Sequence, residues 1–323
     1  MKAAIISWFK LRLLTICFLF VSPSVAQLYT VTDLGTFPGG TYSAATGINS
    51  FGQVVGYADG TVGQHAFLWS KAKGMQDLGT LFSAGPSWGE SINDLGHVTG
   101  GSWIDEADNA AFLWTPELGM KAIVYVIDGE GGLSINDFDE VAGSTTVEPP
   151  EAFVWTRSGG ENTIFGATQS VASGVNDHRQ VVGYYASEDG DFHAYRWSEK
   201  SGVKDLTQGF ANAINFFGTV VGATSEGHAF LWTETGGMRD LGTGSAAAIN
   251  IVGQVVGTSS GGAFLWSPWT GTLDLNTVIP PDSGWTLNSA TGINLFGQIV
   301  GNGTVNAQSH AFLLTLKGWT TAR

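Results

Sequence analysis

The sequence predicts an all-β chain folded as a closed seven-bladed β-propeller with four-stranded blades. Three observations lead there. One phrase returns seven times, each period holds four short strand patterns, and the chain opens with a strand pattern that its last period lacks. The phrase reads "INSFGQVVG" from Ile48 and comes back from Ile92, Ile135, Val175, Ile214, Ile249 and Ile293, at spacings of 35 to 44 residues. Periods near 40 fit four short strands per unit, as in propeller blades. Hexapeptide β-helices have shorter periods. Helical repeats need a 3.6-residue apolar pattern that this Gly-rich and β-branched sequence lacks.

In the first unit, strand A is "SAATGIN" (43–49), and "NSFG" is a tight turn with Asn first and Gly fourth, the type I preferences. Strand B is "QVVGYA", strand C is "HAFLW" (65–69), and the turn "SKAKG" leads into strand D, "MQDLGTL". The strands are apolar on both faces, as expected of a blade held between two others. Gly closes strand B in every unit, from Gly56 to Gly301, and Trp ends strand C in six of them. Such a Trp wedged between blades buries roughly 200 Å². The turn Gly is replaced by Asp139 in unit 3 and Arg179 in unit 4, so those two turns are expected to bend differently. The last unit stops after strand C, whereas "YTVTDLGTF" (29–37) precedes the first strand A. The N-terminal strand is therefore expected to complete the last blade and leave no open sheet edge.

The remaining totals bound location and partners. Lys2, Lys10 and Arg12, a short apolar run "LLTICFLFV" (13–21) and "SVA" ending at Ala26 read as a signal peptide over 1–26. Residues 27–323 are then a single exported domain, extracellular or periplasmic. The one cysteine, Cys17, falls in the leader, so no disulfide is expected. The chain is 13% charged with a formal net charge of −14. Low charge with 12% aromatics points to a folded body. The acidic balance argues against nucleic acid, whose phosphates need Lys and Arg, and against an anionic membrane surface. No later stretch is long and apolar enough to span a bilayer, and a monomer is expected.

The motif set "INxxGxVVG", "HAFLW" and "DLGTL" resembles the probable extracellular repeat, HAF family, over nearly all of the chain after the leader. The resemblance implies secretion and a propeller-like repeat. It supplies no catalytic residues.

In a propeller the B–C and D–A loops open on one face, here called the top, and the A–B and C–D turns on the other. The top loops carry Asp59, Glu90, Asp128, Glu130, Glu226, Asp282 and other acids, but no Lys or Arg. Polar loops of this kind keep a secreted protein dispersed. They also suit cations or hydroxyl-rich ligands. Asp105, Glu106 and Asp108 in "DEADN", and Glu188, Asp189 and Asp191 in "EDGD", are dense enough in oxygens to be calcium candidates, although neither matches a full calcium loop. Calcium is the one cofactor considered, and none is required. Trp88, Trp103, Tyr184, Tyr185 and Trp285 lie outside the repeat pattern in or beside top loops, where rings next to carboxylates suit sugars. Capping of the blade ends is the structural alternative for these rings. The "HA" histidines are expected to make structural hydrogen bonds, being too far apart to share a metal. The sequence thus favours a non-enzymatic binding propeller for an extracellular glycan or protein. The alternatives are a glycoside hydrolase using Glu90 with Asp128 or Glu130, or a structural surface or matrix protein. No nucleophile elbow, zinc motif or phosphate loop is present.

Overall fold

The computed structural model describes residues 28–318 apart from 62, 84, 107, 126–133, 146–148 and 166–168. Residues 1–26, expected from the sequence to be a signal peptide, lie outside the described residues. Every unit repeats the antiparallel order A-B-C-D. In unit 1 the strands are Ser43–Ile48, Val54–Gly60, Gly63–Ser70 and Gly74–Asp77. The first strand of each sheet packs on the first strands of the next and previous sheets, so the A strands line the axis and the D strands form the rim.

The sequence predicts seven separate four-stranded blades. The strand pairing gives five separate four-stranded sheets and one sheet of seven strands. The difference lies between units 4 and 5, where a single strand, Gly202–Ile214, serves both. Its first half pairs with strand C of unit 4, up to Gln208, and its second half with strand B of unit 5, from Gly209 onward. No loop intervenes, because the chain crosses from rim to axis at Gly209. Its φ is +135°, and an added Cβ would stand 2.2 Å from the Ala223 carbonyl oxygen.

The N-terminal strand Tyr29–Asp33 pairs antiparallel with Gln308–Leu316, the C strand of the last unit, in register from Tyr29 opposite Leu316 to Asp33 opposite Phe312. It occupies the rim position that the other units fill with their own strand D. Tyr29 is buried there among Leu314, Val278 and Leu275.

The repeated residues have identifiable work. Asn49 uses its side-chain oxygen to accept the amides of Phe51 and Gln53, which pins its own turn. Its Nδ2 donates to the Gln53 side chain and, across the blade boundary, to the Asn93 carbonyl at 3.1 Å. The cross-boundary bond recurs at each step: Asn93 to Asn136, Asn136 to Asn176, Asn176 to Asn215, Asn215 to Asn250, Asn250 to Asn294, and Asn294 back to Asn49. All seven Asn are buried, so each of these satisfied amides replaces a costly orphan. The strand B Gly is required by crowding: at Gly56 a Cβ would lie 1.9 Å from the Ala44 carbonyl oxygen. The strand C Phe residues (Phe67, Phe112, Phe153, Phe230, Phe312) are fully buried.

Asp139 and Arg179 do not bend their turns differently. Both keep the positive φ of the Gly they replace, 60° and 52°. Both also keep the turn hydrogen bond to the Asn three residues earlier. Their side chains explain the exchange. Unit 2 has His97 where most units have Gln, so Asn93 lacks its usual partner. Asp139 supplies it, accepting from Asn93 Nδ2 while also bonding His97 and Arg157. Unit 3 has Glu140 at the Gln position, and Arg179 of unit 4 pairs with that buried carboxylate.

Candidate functional site

The motif histidines are structural. His65, His193 and His228 each place Nδ1 against the strand D Asp twelve residues later, Asp77, Asp205 and Asp240, at 2.7–3.0 Å. His310 finds the equivalent acid in Asp33, brought by the N-terminal strand.

Midway along the axis, the A strands are interrupted by β-bulges. The A strands of units 1, 2, 4, 5, 6 and 7 each slip register by one residue, leaving Thr46, Glu90, Ser173, Asn212, Ala247 and Thr291 unpaired in the ladder. A bulge re-aims its side chain. Three of these residues donate to the carbonyl just before the bulge of the next unit: Thr46 to Gly89, Asn212 to Ala246 and Thr291 to Ala45. Glu90 holds the same position with an acid. Burial pushes its carboxyl up to about 7, so it titrates near neutrality. Beside it, Tyr57 has its hydroxyl raised by burial, then by a hydrogen bond with Tyr42 and by the charges of Tyr42 and Glu90. The Tyr42 and Tyr57 rings lie 6.0 Å apart. Sequence reasoning passed over both tyrosines. A signal existed for Tyr57, because it follows the strand B Gly as Tyr184 does in unit 4.

The sequence-chosen aromatics mostly lie against protein. Trp88 lies across Gly101 of its own sheet, where an added Cβ would stand 2.6 Å from the indole. The bulge at Glu90 breaks the alternation that would have put Trp88 and Glu90 on one face. Trp285 packs edge-on to Phe312 at 6.0 Å and borders the core of the last sheet. Trp103 covers Gly85. Tyr184 packs edge-on with Phe192 and Phe210, while Tyr185 stacks on Phe165 and donates to Asp205 at 2.9 Å. All five keep partial exposure.

The acidic loops are turns stabilised from within. Asp105 accepts the Asp108 amide, and Asp191 accepts from the Gln208 side chain. Glu106, Asp108, Glu188 and Asp189 are exposed. Among the described residues no group of three or more His, Cys, Asp or Glu is arranged to hold a metal ion. Asp128 and Glu130 lie outside the described residues.

Solved structures share this arrangement. The β-propeller domain of the Trilobed protease from Pyrococcus furiosus matches at TM-score 0.55 and 9% identity, over 86% of this chain and 96% of that one. YCF48, in a structure described as bound to D1 peptide, matches at TM-score 0.55 and 11% identity, over 93% of this chain and 100% of that one. The fold is a β-propeller. The chain spans 65% of the length of TolB from Acinetobacter baumannii, at TM-score 0.48 and 13% identity over 83% of its own length. No protein-family model and no curated protein sequence matches the chain. Among the described residues no helix is long and apolar enough to cross a membrane.

Proposed function

We propose that the chain is an exported, seven-bladed binding propeller of the HAF-repeat kind, engaging an extracellular glycan or protein through its acidic top face. The observation that carries this reading is the one-sided chemistry of that face. Its loops expose Asp105, Glu106, Asp108, Glu188, Asp189, Asp191, Glu226 and Asp282 without a Lys or Arg among them. At the axis, Glu90, Tyr57 and Tyr42 gather a carboxyl and two phenols. Such a set hydrogen-bonds a hydroxyl-rich ligand while the ring faces cover its apolar side. A protein ligand has support from the shape alone: a propeller of similar fold, YCF48, was solved bound to a peptide. Calcium at either acidic loop is an optional part of the proposal.

The test is a glycan array and an extracellular-protein pull-down with the purified protein, with and without calcium, alongside Glu90→Gln. A ligand whose binding drops at least tenfold in Glu90→Gln supports the axis site. A ligand bound equally by both proteins moves the site away from Glu90, and no ligand in either format removes the reading. One observation favours a hydrolase as the second reading: a carboxyl titrating near 7 suits a general acid. Reducing-sugar release in the same samples, abolished by Glu90→Gln, would establish it over simple binding.

A further inference from the structure

The opposite face carries the apolar surface. Every large hydrophobic side chain that is exposed among the described residues stands on or beside an A–B or C–D turn. Phe51 (75% exposed), Leu95, Phe138 (68%) and Phe217 (69%) occupy the third position of the repeated A–B turn, and Leu118 and Trp269 (65%) tip the C–D turns. The A–B tips are held side by side. Besides the asparagine ring, the Ser50 amide donates to Asp94, the Asp94 amide to Asp137, and the Asp137 amide to Asp177. The apolar A–B tips therefore lie along one arc around the axis, from unit 1 to unit 5, with His178 between Phe138 and Phe217.

We propose that this turn face is where a second copy of the chain docks, face to face about a twofold axis. Charge is the first argument. The Lys and Arg residues of the described chain sit on this side, and several are matched on the spot: Arg157 with Asp139, Arg179 with Glu140, and Arg196 and Lys204 with Glu234. A nearly balanced face meets its own copy without repulsion, and the docking turns the two acidic top faces away from each other. The acidic loops oppose association through the top face, and the net charge of −14 disfavours an anionic bilayer as the occupant. Area is the second argument. At roughly 200 Å² per aromatic side chain, the exposed parts of Phe51, Phe138, Phe217 and Trp269 come to about 500 Å². Leu95, Leu118, Phe216, Ile251, Met238 and Val203 add further exposed apolar area on the same side, which brings the total toward the roughly 800 Å² per partner that a specific interface takes. A twofold contact is self-complementary by construction.

The test is the mass of the purified protein in solution, by light scattering and sedimentation equilibrium from micromolar upward. The expected result is a dimer that persists in 1 M NaCl, since its contact is apolar. Phe138→Ser/Phe217→Ser should weaken it more than about tenfold, as loss of central aromatic anchors does. Glu188→Gln on the other face should leave it unchanged. Circular dichroism melts check that the double variant is folded, and Phe51→Ser/Trp269→Ser provides an independent pair. A parent protein monomeric throughout overturns the proposal, as does a dimer untouched by both pairs. Sedimentation of monomer with phosphatidylcholine vesicles would also overturn it by giving the face to lipid.

Discussion

At the residue scale, the exceptions to the repeat come in compensating pairs, and this can be measured. Burial alone would raise the Asp139 carboxyl, but hydrogen bonds from His97, Arg157 and Asn93 outweigh it and hold the group below its ordinary range. Asp139→Gly relieves a left-handed backbone worth about 1–2 kcal/mol but leaves one Asn93 amide hydrogen and the His97 ring without their acceptor. The single variant should lose about 1–3 kcal/mol net. His97→Gln/Asp139→Gly rebuilds the pattern of unit 1, where Gln53 serves Asn49, and should return to parental stability or above. Urea unfolding of the four proteins in the cycle decides it, and additive losses would refute the pairing. Glu90 gives a pH signature. Its folded carboxyl titrates at about 7 against 4.5 for the free group. The folded state therefore holds the proton more tightly between these values. Stability falls as pH rises through that window, and the penalty is complete above about 7. The shift corresponds to at most on the order of 3 kcal/mol, less because the carboxyl keeps some solvent contact. Glu90→Gln should remove this slope between pH 5 and 8 in urea unfolding, and a parent with no slope would count against the buried acid.

At the element scale, the rim strand Tyr29–Asp33 joins the two ends of the chain. It buries Tyr29, pairs five residues with the last C strand and brings Asp33 to His310. Deleting residues 27–37 should lower the melting temperature and expose a strand edge that associates. Tyr29→Ala alone should cost about 3–5 kcal/mol, as buried aromatic truncations do. A truncated protein with unchanged melting and mass would show the strand to be dispensable. This strand was legible in the sequence because "DLGT" is missing from one end and present at the other. The fusion of units 4 and 5 was not, since "DLTQGFANAI" reads as two strand patterns and only the pairing shows that no loop divides them. The axis cluster was half legible. Glu90 stood out as an acid in a bland strand, but a bulge is a register property, and Tyr57 met Glu90 only through the packing of neighbouring sheets. The pairing of Asp139 with His97 likewise joins residues 42 apart, so Asp139 read alone looked like an irregular turn.

At the scale of the whole molecule, the question is whether the seam between first and last units is weaker than the other boundaries. It is a non-covalent junction between sequence-distant segments, so ordering it closes a loop of nearly the full chain. Its bonds nevertheless repeat those inside the ring. Asn294 donates to the Asn49 carbonyl at 3.1 Å, as Asn176 does to Asn215 at 3.0 Å. The Ala311 amide donates to the Ser43 hydroxyl at 2.9 Å, as the Ala152 amide does to Ser170 at 3.0 Å. The Ala45 amide reaches Asn302 at 2.9 Å, and Thr291 donates to the Ala45 carbonyl at 2.8 Å. With local bonding this similar, each boundary supports the others and the ring should open as one unit. Asn294→Ala and Asn176→Ala should therefore cost similar amounts, about 1–3 kcal/mol each for a buried polar network that loses one member. Both should keep a single unfolding transition with the parental urea dependence. The check is urea unfolding followed by Trp fluorescence and circular dichroism together. A seam weaker than the rest would show as a nearly silent Asn294→Ala, or as two transitions in that variant alone with the last sheet melting first.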